Sequence, residues 1–271
     1  MDGKELREAL RSGRRLFGTL ITSTSPKWME VMTGLNLDCV FIDTEHFPMD
    51  WNKLGWMCHA FRGLGIAPIV RIPRPDPFEA CRVLDMGARG IVAAYVETPE
   101  EVQLLRGAVK LRPLKGRRLQ EILSGRTPLE GEMVDYVKKY NENHVLLVNI
   151  ESAPAVENLE QILAVPDLDG VLLGPHDLSC SLGVPEQYDH PLFEKAVRKI
   201  ITKAREKNIG AGAHFLPSVE HETKWAKAGL NLILHLADMT LFRRALHEDL
   251  TRLRENLGEK VSEKKLGDIA I

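Results

Sequence analysis

The chain has 271 residues, of which 44% are hydrophobic and 27% are charged, and its formal net charge at pH 7 is −2. This length fits one large domain or two ordinary ones, and the near-balanced charge argues against a dedicated nucleic-acid or membrane surface. No apolar run is long enough to cross a bilayer, and the N-terminus lacks the apolar stretch of a signal peptide. Four scattered cysteines without a CxxC pair fit reduced thiols, so we expect a cytoplasmic protein.

Short β-branched runs alternate with longer amphipathic stretches along the whole chain. The runs predict eight strands: Phe17–Ile21, Cys39–Asp43, Ala67–Ile72, Gly90–Ala93, Val145–Ile150, Gly170–Leu173, Ile209–Ala213 and Leu230–Leu236. Helical spacing of apolar residues predicts helices over Pro77–Met86, Pro99–Leu111, Ala153–Ala164, Pro191–Lys207 and Ser218–Ala228. Such alternation is typical of a parallel sheet, and eight units at this length favour a closed TIM (β/α)8 barrel over an open sheet.

Two segments fall outside this alternation. Leu114–Gly131 is rich in basic and glycine residues and is longer than an ordinary connection, which is typical of a functional or disordered loop. A polar tail begins at about residue 258, after a helical segment through Leu257. We therefore predict that residues 1–271 form a single barrel domain that ends in this tail.

Charged side chains follow four of the predicted strands where each one ends. Asp43-Thr44-Glu45-His46 closes the second strand, Arg71 lies at the end of the third, and Glu151 follows the fifth. The sixth is followed by Gly174-Pro175-His176-Asp177. The carboxyl ends of parallel strands form the rim where ligands bind in α/β folds, so these side chains are candidates for one site.

The residue types at this rim suggest a particular chemistry. Glu151 and Asp177 offer hard oxygen ligands suited to Mg²⁺ or Mn²⁺, although two rim salt bridges would also explain them. Arg71 could bind a carboxylate or stabilise an oxyanion, or it could form a structural ion pair. No predicted strand contains a lysine, which argues against a Schiff base and leaves a metal plus an arginine to stabilise an enolate.

Histidines supply candidate bases. His46 follows an acid-terminated strand, and Asp43 could bond its imidazole and fix the tautomer, as a general base requires; a loop histidine with a structural hydrogen bond is the alternative. His176 lies beside Asp177 and could touch substrate. His214 and His235, near the ends of the last two strands, are weaker candidates for lining the pocket.

These motifs, in this order, resemble the HpcH/HpaI family of metal-dependent (class II) pyruvate aldolases. The resemblance covers about residues 15 to 250 and rests on four blocks: Phe41-Ile42-Asp43-Thr44-Glu45-His46, Val70-Arg71 with Pro75-Asp76-Pro77, Asn149-Ile150-Glu151, and Leu173-Gly174-Pro175-His176-Asp177-Leu178-Ser179. It implies cleavage of a 4-hydroxy-2-oxo acid to pyruvate and an aldehyde. It also implies a TIM barrel whose C-terminal helix is exchanged between protomers, in a homo-oligomer that is usually a hexamer built as a trimer of dimers.

The resemblance also implies roles for individual residues. Glu151 and Asp177 would hold a divalent ion (Mg²⁺, Mn²⁺ or Co²⁺), His46 paired with Asp43 would act as the base, and Arg71 would stabilise the enolate. Substrate binding would involve Arg71 and Asp177 together with four further residues. These are Asn149, Gly174, Pro175 and His176.

Two departures from the family pattern concern the pocket wall. The KGxRGxG segment with its following Arg-Ala pair is incomplete in Lys115–Arg126, and position 149 is Asn where Gln is frequent. The basic Leu114–Gly131 segment would suit a phosphate-bearing substrate, which keeps open a CoA-thioester lyase related to citrate lyase β subunits. A non-catalytic barrel that senses a keto acid is the other alternative, although intact Asp43, His46, Arg71, Glu151 and Asp177 argue against it.

Overall fold

Eight parallel strands close into one barrel in sequence order. The structure is a computed structural model that describes residues 1–259. The strands are β1 (Leu16–Leu20), β2 (Cys39–Asp43), β3 (Ala67–Ile72), β4 (Gly90–Ala93), β5 (Val145–Ile150), β6 (Gly170–Leu173), β7 (Gly210–His214) and β8 (Leu232–Ala237). Each strand pairs with its sequence neighbour, and β8 pairs with β1 through an irregularity between Gly18 and Leu20. The predicted TIM (β/α)8 barrel is confirmed.

The helices surround the strands. In residues 1–259 they are α1 (Gly3–Ser12), α2 (Trp28–Met32), α3 (Trp51–Gly63), α4 (Pro77–Asp85), α5 (Pro99–Lys110), α6 (Gly116–Leu123), α7 (Glu132–Tyr140), α8 (Ala153–Glu157), α9 (Leu159–Ile162), α10 (Pro175–Ser181), α11 (Pro191–Glu206), α12 (Val219–Lys227) and α13 (Asp238–Asn256). Proline occupies the first turn of several of them, where its missing N–H costs nothing. None of these helices combines the length and hydropathy that a membrane crossing needs.

Alternation along the strands separates two apolar cores. Phe41, Ile69 and Leu147 pack inside the barrel, while their neighbours Ile42 and Val70 pack outward against the helices. Since side chains alternate with a period of two, the residues two positions after Phe41, Ile69 and Leu147 also face inward, at the carboxyl mouth. These residues are Asp43, Arg71 and Asn149. The barrel register therefore delivers predicted site residues to the mouth.

The first helix closes the opposite, amino-terminal end of the barrel. Its Leu6 and Leu10 are fully buried and join the inner core. A Cβ at Gly210 would lie 2.6 Å from the Leu10 side chain, so a glycine is needed at the start of β7 for this helix to approach. The predicted elements begin at Phe17 and omit α1, although its buried Leu6, Ala9 and Leu10 have helical spacing.

Most predicted boundaries are right. The strands β2 to β6 have the predicted bounds, whereas the last two begin later than predicted. The backbone N–H groups of Ile209 and Leu230 donate to the carbonyls of Ala204 and Trp225. These two apolar residues therefore belong to the C-terminal caps of the preceding helices and not to the strands. The predicted helix Ala153–Ala164 is two short helices that meet at Asn158.

The Leu114–Gly131 segment was predicted as a loop and contains a helix instead. The helix α6 packs Leu119 and Leu123 against Gly107 of α5, where an added Cβ would lie 3.0 Å from Leu123. It has no buried residue, and its apolar Leu119, Ile122 and Leu123 form one helical stripe among basic and polar residues. This packing places the segment on the outer side of α5.

The last helix presents an uncovered apolar face. It packs chiefly against β8, and its Phe242, Leu246, Leu250 and Leu253 are each 41–65% exposed. Beside it lies an apolar groove of about 840 Å³, to which Phe17, Trp28, Val31, Val219 and Ala226 contribute. Most of the predicted polar tail, residues 260–271, lies outside the described residues.

Candidate active site

Every predicted site residue lies at the carboxyl mouth of the barrel. Asp43 and Arg71 end or nearly end β2 and β3, where they face each other in the strand register. Asn149 is the second-to-last residue of β5, and Glu151 directly follows this strand. Gly174 connects β6 to α10, and Asp177 lies in the first turn of α10. The mouth therefore collects one cation and several acids from four strands.

Asp43 and Arg71 form a buried, two-pronged ion pair. Arg71 donates from Nε to Asp43 Oδ1 at 2.7 Å and from Nη2 to Asp43 Oδ2 at 2.6 Å. Burial opposes the charge on both groups, but the hydrogen bonds and opposite charges prevail, which lowers the pKa of Asp43 and raises that of Arg71. Both groups are therefore ionised at neutral pH, and the guanidinium is held in one orientation.

The predicted pairing of Asp43 with the His46 imidazole does not occur in this structure. The Asp43 carboxylate bonds Arg71 and the backbone N–H groups of Glu45 (2.9 Å) and His46 (3.3 Å). The imidazole instead faces Glu45, with 3.8 Å between His46 Nε2 and Glu45 Oε2. The physical reason is competition, since the planar guanidinium matches both carboxylate oxygens at once.

Glu45 lies between the base candidate and the arginine. Its Oε2 is 3.2 Å from Arg71 Nε, yet this buried oxygen has no hydrogen bond of good geometry among the described residues. Burial raises the pKa of Glu45 against the opposing charges of Arg71 and His46, and the negative charges of Asp43 and Asp177 add to the rise. The sequence motif contains Glu45, but residue type and spacing predict no role for it.

Glu151 is held by two donors. The Tyr95 backbone N–H reaches its Oε1 at 2.8 Å, and Asn149 Nδ2 reaches its Oε2 at 2.6 Å. Burial is the largest influence and raises the pKa of Glu151, and the negative charges of Asp177 and Glu45 add to the rise. Asn149 Oδ1 is buried without a partner in the described part of the chain, so the amide still offers one free oxygen.

Gly174 lets Glu151 and Asp177 approach each other. A Cβ at this position would lie 2.7 Å from Glu151 Oε2 and 3.5 Å from Asp177 Oδ2. The two carboxylates therefore flank the same small space, which any side chain at residue 174 would fill. Pro175 starts α10, and the exposed His176 lies 3.8 Å from Asp177 and 3.7 Å from Glu186.

The donor set fits a hard divalent cation. Two carboxylates converge on a space with one free amide oxygen nearby, and the neighbouring cation Arg71 is already paired with Asp43. In residues 1–259 no group of three or more His, Cys, Asp or Glu side chains is arranged to hold a metal by itself. Such a partial protein shell suits Mg²⁺, which keeps water or substrate ligands in proteins.

Two further residues lie at the mouth: Tyr95, which the sequence did not single out, and His214, which it gave as a weaker candidate. Tyr95, two residues after β4, has a left-handed backbone (φ 56°), and its phenol approaches Glu45, whose negative charge chiefly raises the phenol pKa. His214 ends β7 facing inward, 5.0 Å from the Phe41 ring, and burial lowers its pKa to about 3. The position of Tyr95 shortly after the end of β4 could have identified it from the sequence, but the charge at the other strand ends is missing there.

The chain is similar to known proteins along most of its length. The family model described as HpcH/HpaI aldolase/citrate lyase matches residues 16–245. A 2-keto-3-deoxy-L-rhamnonate aldolase from Salmonella gallinarum is 31% identical over 92% of this chain and 92% of its own length. A 5-keto-4-deoxy-D-glucarate aldolase from Escherichia coli is 29% identical over 89% of this chain and 93% of its own.

A solved structure is similar along the same length. An HpcH/HpaI aldolase/citrate lyase family protein from Burkholderia cenocepacia superposes with a TM-score of 0.79 at 26% identity, covering 93% of this chain and 99% of that one. The residues that the family model matches, 16–245, contain all eight strands.

Proposed function

Because the chain belongs to the HpcH/HpaI aldolase/citrate lyase family, we propose that it is a divalent-metal-dependent aldolase that cleaves a 4-hydroxy-2-oxo acid to pyruvate and an aldehyde. The observation that carries the proposal is the pair of carboxylates, Glu151 and Asp177, that converge across Gly174. Arg71 and His46 lie on the neighbouring strand ends.

Glu151 and Asp177 would hold the divalent ion, Mg²⁺, Mn²⁺ or Co²⁺. When bound, the ion supplies Lewis acidity at the substrate oxygen that gathers negative charge. Asn149 orients Glu151 through its 2.6 Å hydrogen bond and keeps its own oxygen free for a ligand. The repulsion that raises the pKa of Glu151 favours a cation in this space.

Arg71 stabilises the enolate. Asp43 occupies Nε and one hydrogen of Nη2, so the remaining guanidinium hydrogens are available to carboxylate or enolate oxygens of the substrate. Because Asp43 fixes the plane of the guanidinium, these donors are oriented before substrate binds, which is the property that makes oxyanion donors effective. A lysine would keep the charge and lose this geometry.

His46 serves as the base. Its side chain is 41% exposed at the mouth, so it can reach a bound ligand. It takes the proton of the 4-hydroxyl, the C3–C4 bond breaks, and the aldehyde leaves. The electron pair of the broken bond forms the pyruvate enolate, which is then protonated at C3. Overall, a proton moves from the hydroxyl oxygen to C3 and the atoms balance.

Polyhydroxylated 2-oxo acids are the substrate class we favour. The two curated relatives described above are named for a 2-keto-3-deoxy sugar acid and a 5-keto-4-deoxy sugar diacid. Gly174, Pro175 and His176 line the side of the mouth next to Asp177, where they could contact such a ligand. Nucleic acid and membranes are not among the partners we propose.

We also propose that α13 is exchanged between protomers, in a hexamer built as a trimer of dimers. The helix exposes Phe242, Leu246 and Leu250, and an apolar groove of about 840 Å³ lies beside it. A monomer would leave both surfaces in water, which is unusual for an apolar patch of this size. Light scattering after size exclusion tests this assembly.

Four unpaired cysteines are compatible with a cytoplasmic location.

A CoA-thioester lyase is less well supported. The basic Leu114–Gly131 segment favours it, but α6 packs on α5 through Leu119 and Leu123, and Arg117 is already paired with Glu121 at 2.8 Å. The decisive experiment is an aldehyde screen with pyruvate and added Mg²⁺, Mn²⁺ or Co²⁺, with citramalyl- and malyl-CoA thioesters in parallel. Turnover of the thioesters alone would reject the aldolase.

A further inference from the structure

The Glu45 carboxylate is the charged side chain of the mouth that the proposed mechanism leaves without a task. It is part of the same turn as His46, and its side chain is only 11% exposed. A buried carboxylate oxygen without a hydrogen bond is energetically unfavourable, so its presence calls for an explanation.

Three groups surround this carboxylate. Arg71 Nε lies 3.2 Å from Oε2, His46 Nε2 lies 3.8 Å from the same oxygen, and the Tyr95 phenol approaches from the next strand but one. Arg71 cannot satisfy Oε2, because its Nε hydrogen points at Asp43 Oδ1, which is closer at 2.7 Å. The partner that can still move is His46, whose ring is partly exposed.

We infer that Glu45, and not Asp43, is the residue that positions His46 for proton transfer, and that the Tyr95 hydroxyl holds Glu45 from its other side. This inference rests on the proposed aldolase function. Asp43 is unavailable, since both its oxygens are engaged by Arg71 and by backbone N–H groups. Glu45 is a positioning residue here, because it acts through the imidazole.

The contact also decides which ring nitrogen is the base. The imidazole turns Nε2 toward the carboxylate, so a proton on Nε2 is stabilised there and the lone pair is on Nδ1. His46 then takes the 4-hydroxyl proton on Nδ1 and becomes imidazolium, whose charge Glu45 stabilises. The left-handed backbone of Tyr95 (φ 56°) fits this role, because strained residues cluster where a side chain must be aimed.

The test is a double-mutant cycle on Glu45→Gln and His46→Ala. For the wild type carrying Mn²⁺, we expect Glu45→Gln to reduce kcat for cleavage by about 10–100-fold with little change in KM, the usual scale for losing the partner of a site histidine. In the His46→Ala background the same change should cost less than about twofold, because the positioned group is gone. Equal losses in both backgrounds would overturn the inference.

Matched variants separate positioning from general damage. Tyr95→Phe removes only the hydroxyl and keeps the backbone N–H that binds Glu151, so we expect a loss of several-fold that disappears when Glu45→Gln is also present. Asp189→Asn removes another acid near a histidine, at 3.2 Å from His221, and should leave cleavage unchanged. A loss in Asp189→Asn equal to that in Glu45→Gln would point to lost surface charge and overturn the inference.

A second measurement does not need activity. Nitrogen-15 chemical shifts of labelled histidine, with His46 assigned by comparison with His46→Ala, report which ring nitrogen carries the proton. We expect Nε2–H in the wild type and a mixture of tautomers in Glu45→Gln. A wild-type His46 protonated on Nδ1 would overturn the inference. If no substrate is cleaved by the wild type, the proposed function fails while this tautomer test still decides the role of Glu45.

Discussion

The two ends of the barrel each contain a buried acid beside a cation, and the difference between them separates structure from function. At the amino-terminal end, Asp169 is fully buried and accepts from Lys110, from Arg11 at 3.0 Å and from the Leu146 N–H at 3.0 Å. Lys110 also donates to the His144 carbonyl at 2.6 Å. Burial lowers the pKa of this lysine against the raising charge of Asp169.

The polar groups of the carboxyl mouth are less completely paired. Beside the paired Asp43 and Arg71, it contains acids that repel one another, Glu45 and Glu151 among them. Buried polar atoms on Glu45, Asn149 and His214 have no hydrogen-bond partner in the described residues. The hydrogen-bonded network around Asp169 stabilises the fold, whereas the mutually repelling acids and unpartnered polar atoms of the mouth favour binding of a ligand. The predictions below test this contrast.

Removing a carboxylate of the mouth should have the largest effect on activity. Glu151→Ala or Asp177→Ala should abolish binding of Mn²⁺ and cleavage together, while the protein stays folded because rim residues contribute little to a barrel core. Isothermal titration with Mn²⁺ and circular dichroism are the measurements. Glu157→Ala, an exposed acid on α8, is the control. Full metal affinity in both variants would show that the ligands are elsewhere.

Arg71→Lys should be nearly as damaging as Arg71→Ala. The lysine keeps the charge but cannot hold Asp43 and a substrate oxygen in one plane, so we expect kcat to fall by about two orders of magnitude or more, the scale of losing an oxyanion donor. Steady-state kinetics at saturating metal measure it. If the lysine variant were within several-fold of wild type, charge alone would account for the role of Arg71.

At the opposite end, Lys110→Met should affect stability and leave chemistry alone. Asp169 would lose its buried cation, which costs about 3–5 kcal/mol of the free energy of unfolding. Denaturant unfolding measures the loss, with Lys27→Met as the exposed control. The kcat of the folded fraction should match wild type. A change in kcat larger than the change in stability would contradict the division between the two ends.

Glu151→Gln should stabilise the metal-free protein, by about 2–4 °C in Tm at pH 7 if roughly 1 kcal/mol of charge burial is relieved. The pKa of Glu151 is higher in the folded chain than in the unfolded chain. The protonated carboxyl therefore stabilises the fold fully below the ordinary carboxyl pKa, and this stabilisation is lost as the pH rises through the raised pKa of the folded chain. The gain should therefore shrink as the solution is acidified. Thermal scans between pH 7 and pH 4 decide, and a gain that grows on acidification would contradict the sign.

Much of the barrel could be predicted from the sequence because its strands are buried on both faces. Runs such as Cys39–Asp43 and Val145–Ile150 are buried and mostly apolar, and a charged residue ends the first (Asp43) and follows the second (Glu151), which marks both the strand and the mouth. The helix α6 was not predicted because the basic and glycine-rich composition of its segment is typical of a loop, although Leu119, Ile122 and Leu123 have helical spacing. The family resemblance, in turn, supplied the aldolase assignment.

Partners across the mouth were harder to predict than positions. Asp43 and Arg71 are register partners on adjacent strands, and this pairing takes Asp43 away from His46. The proximity of Glu151 to Asp177 depends on the bare backbone at Gly174, and the contact of Tyr95 with Glu45 depends on a left-handed residue after β4. None of these follows from residue type and spacing alone.

Deuterium uptake at C3 of pyruvate, followed by proton NMR in D₂O, tests the central claim most directly, because it needs only the enolate and no knowledge of the aldehyde. The account predicts no exchange after treatment with EDTA, exchange restored by Mg²⁺, Mn²⁺ or Co²⁺, and no exchange in Glu151→Ala under any of these conditions. Exchange by the metal-free protein, or irreversible inactivation by borohydride with pyruvate, would contradict it.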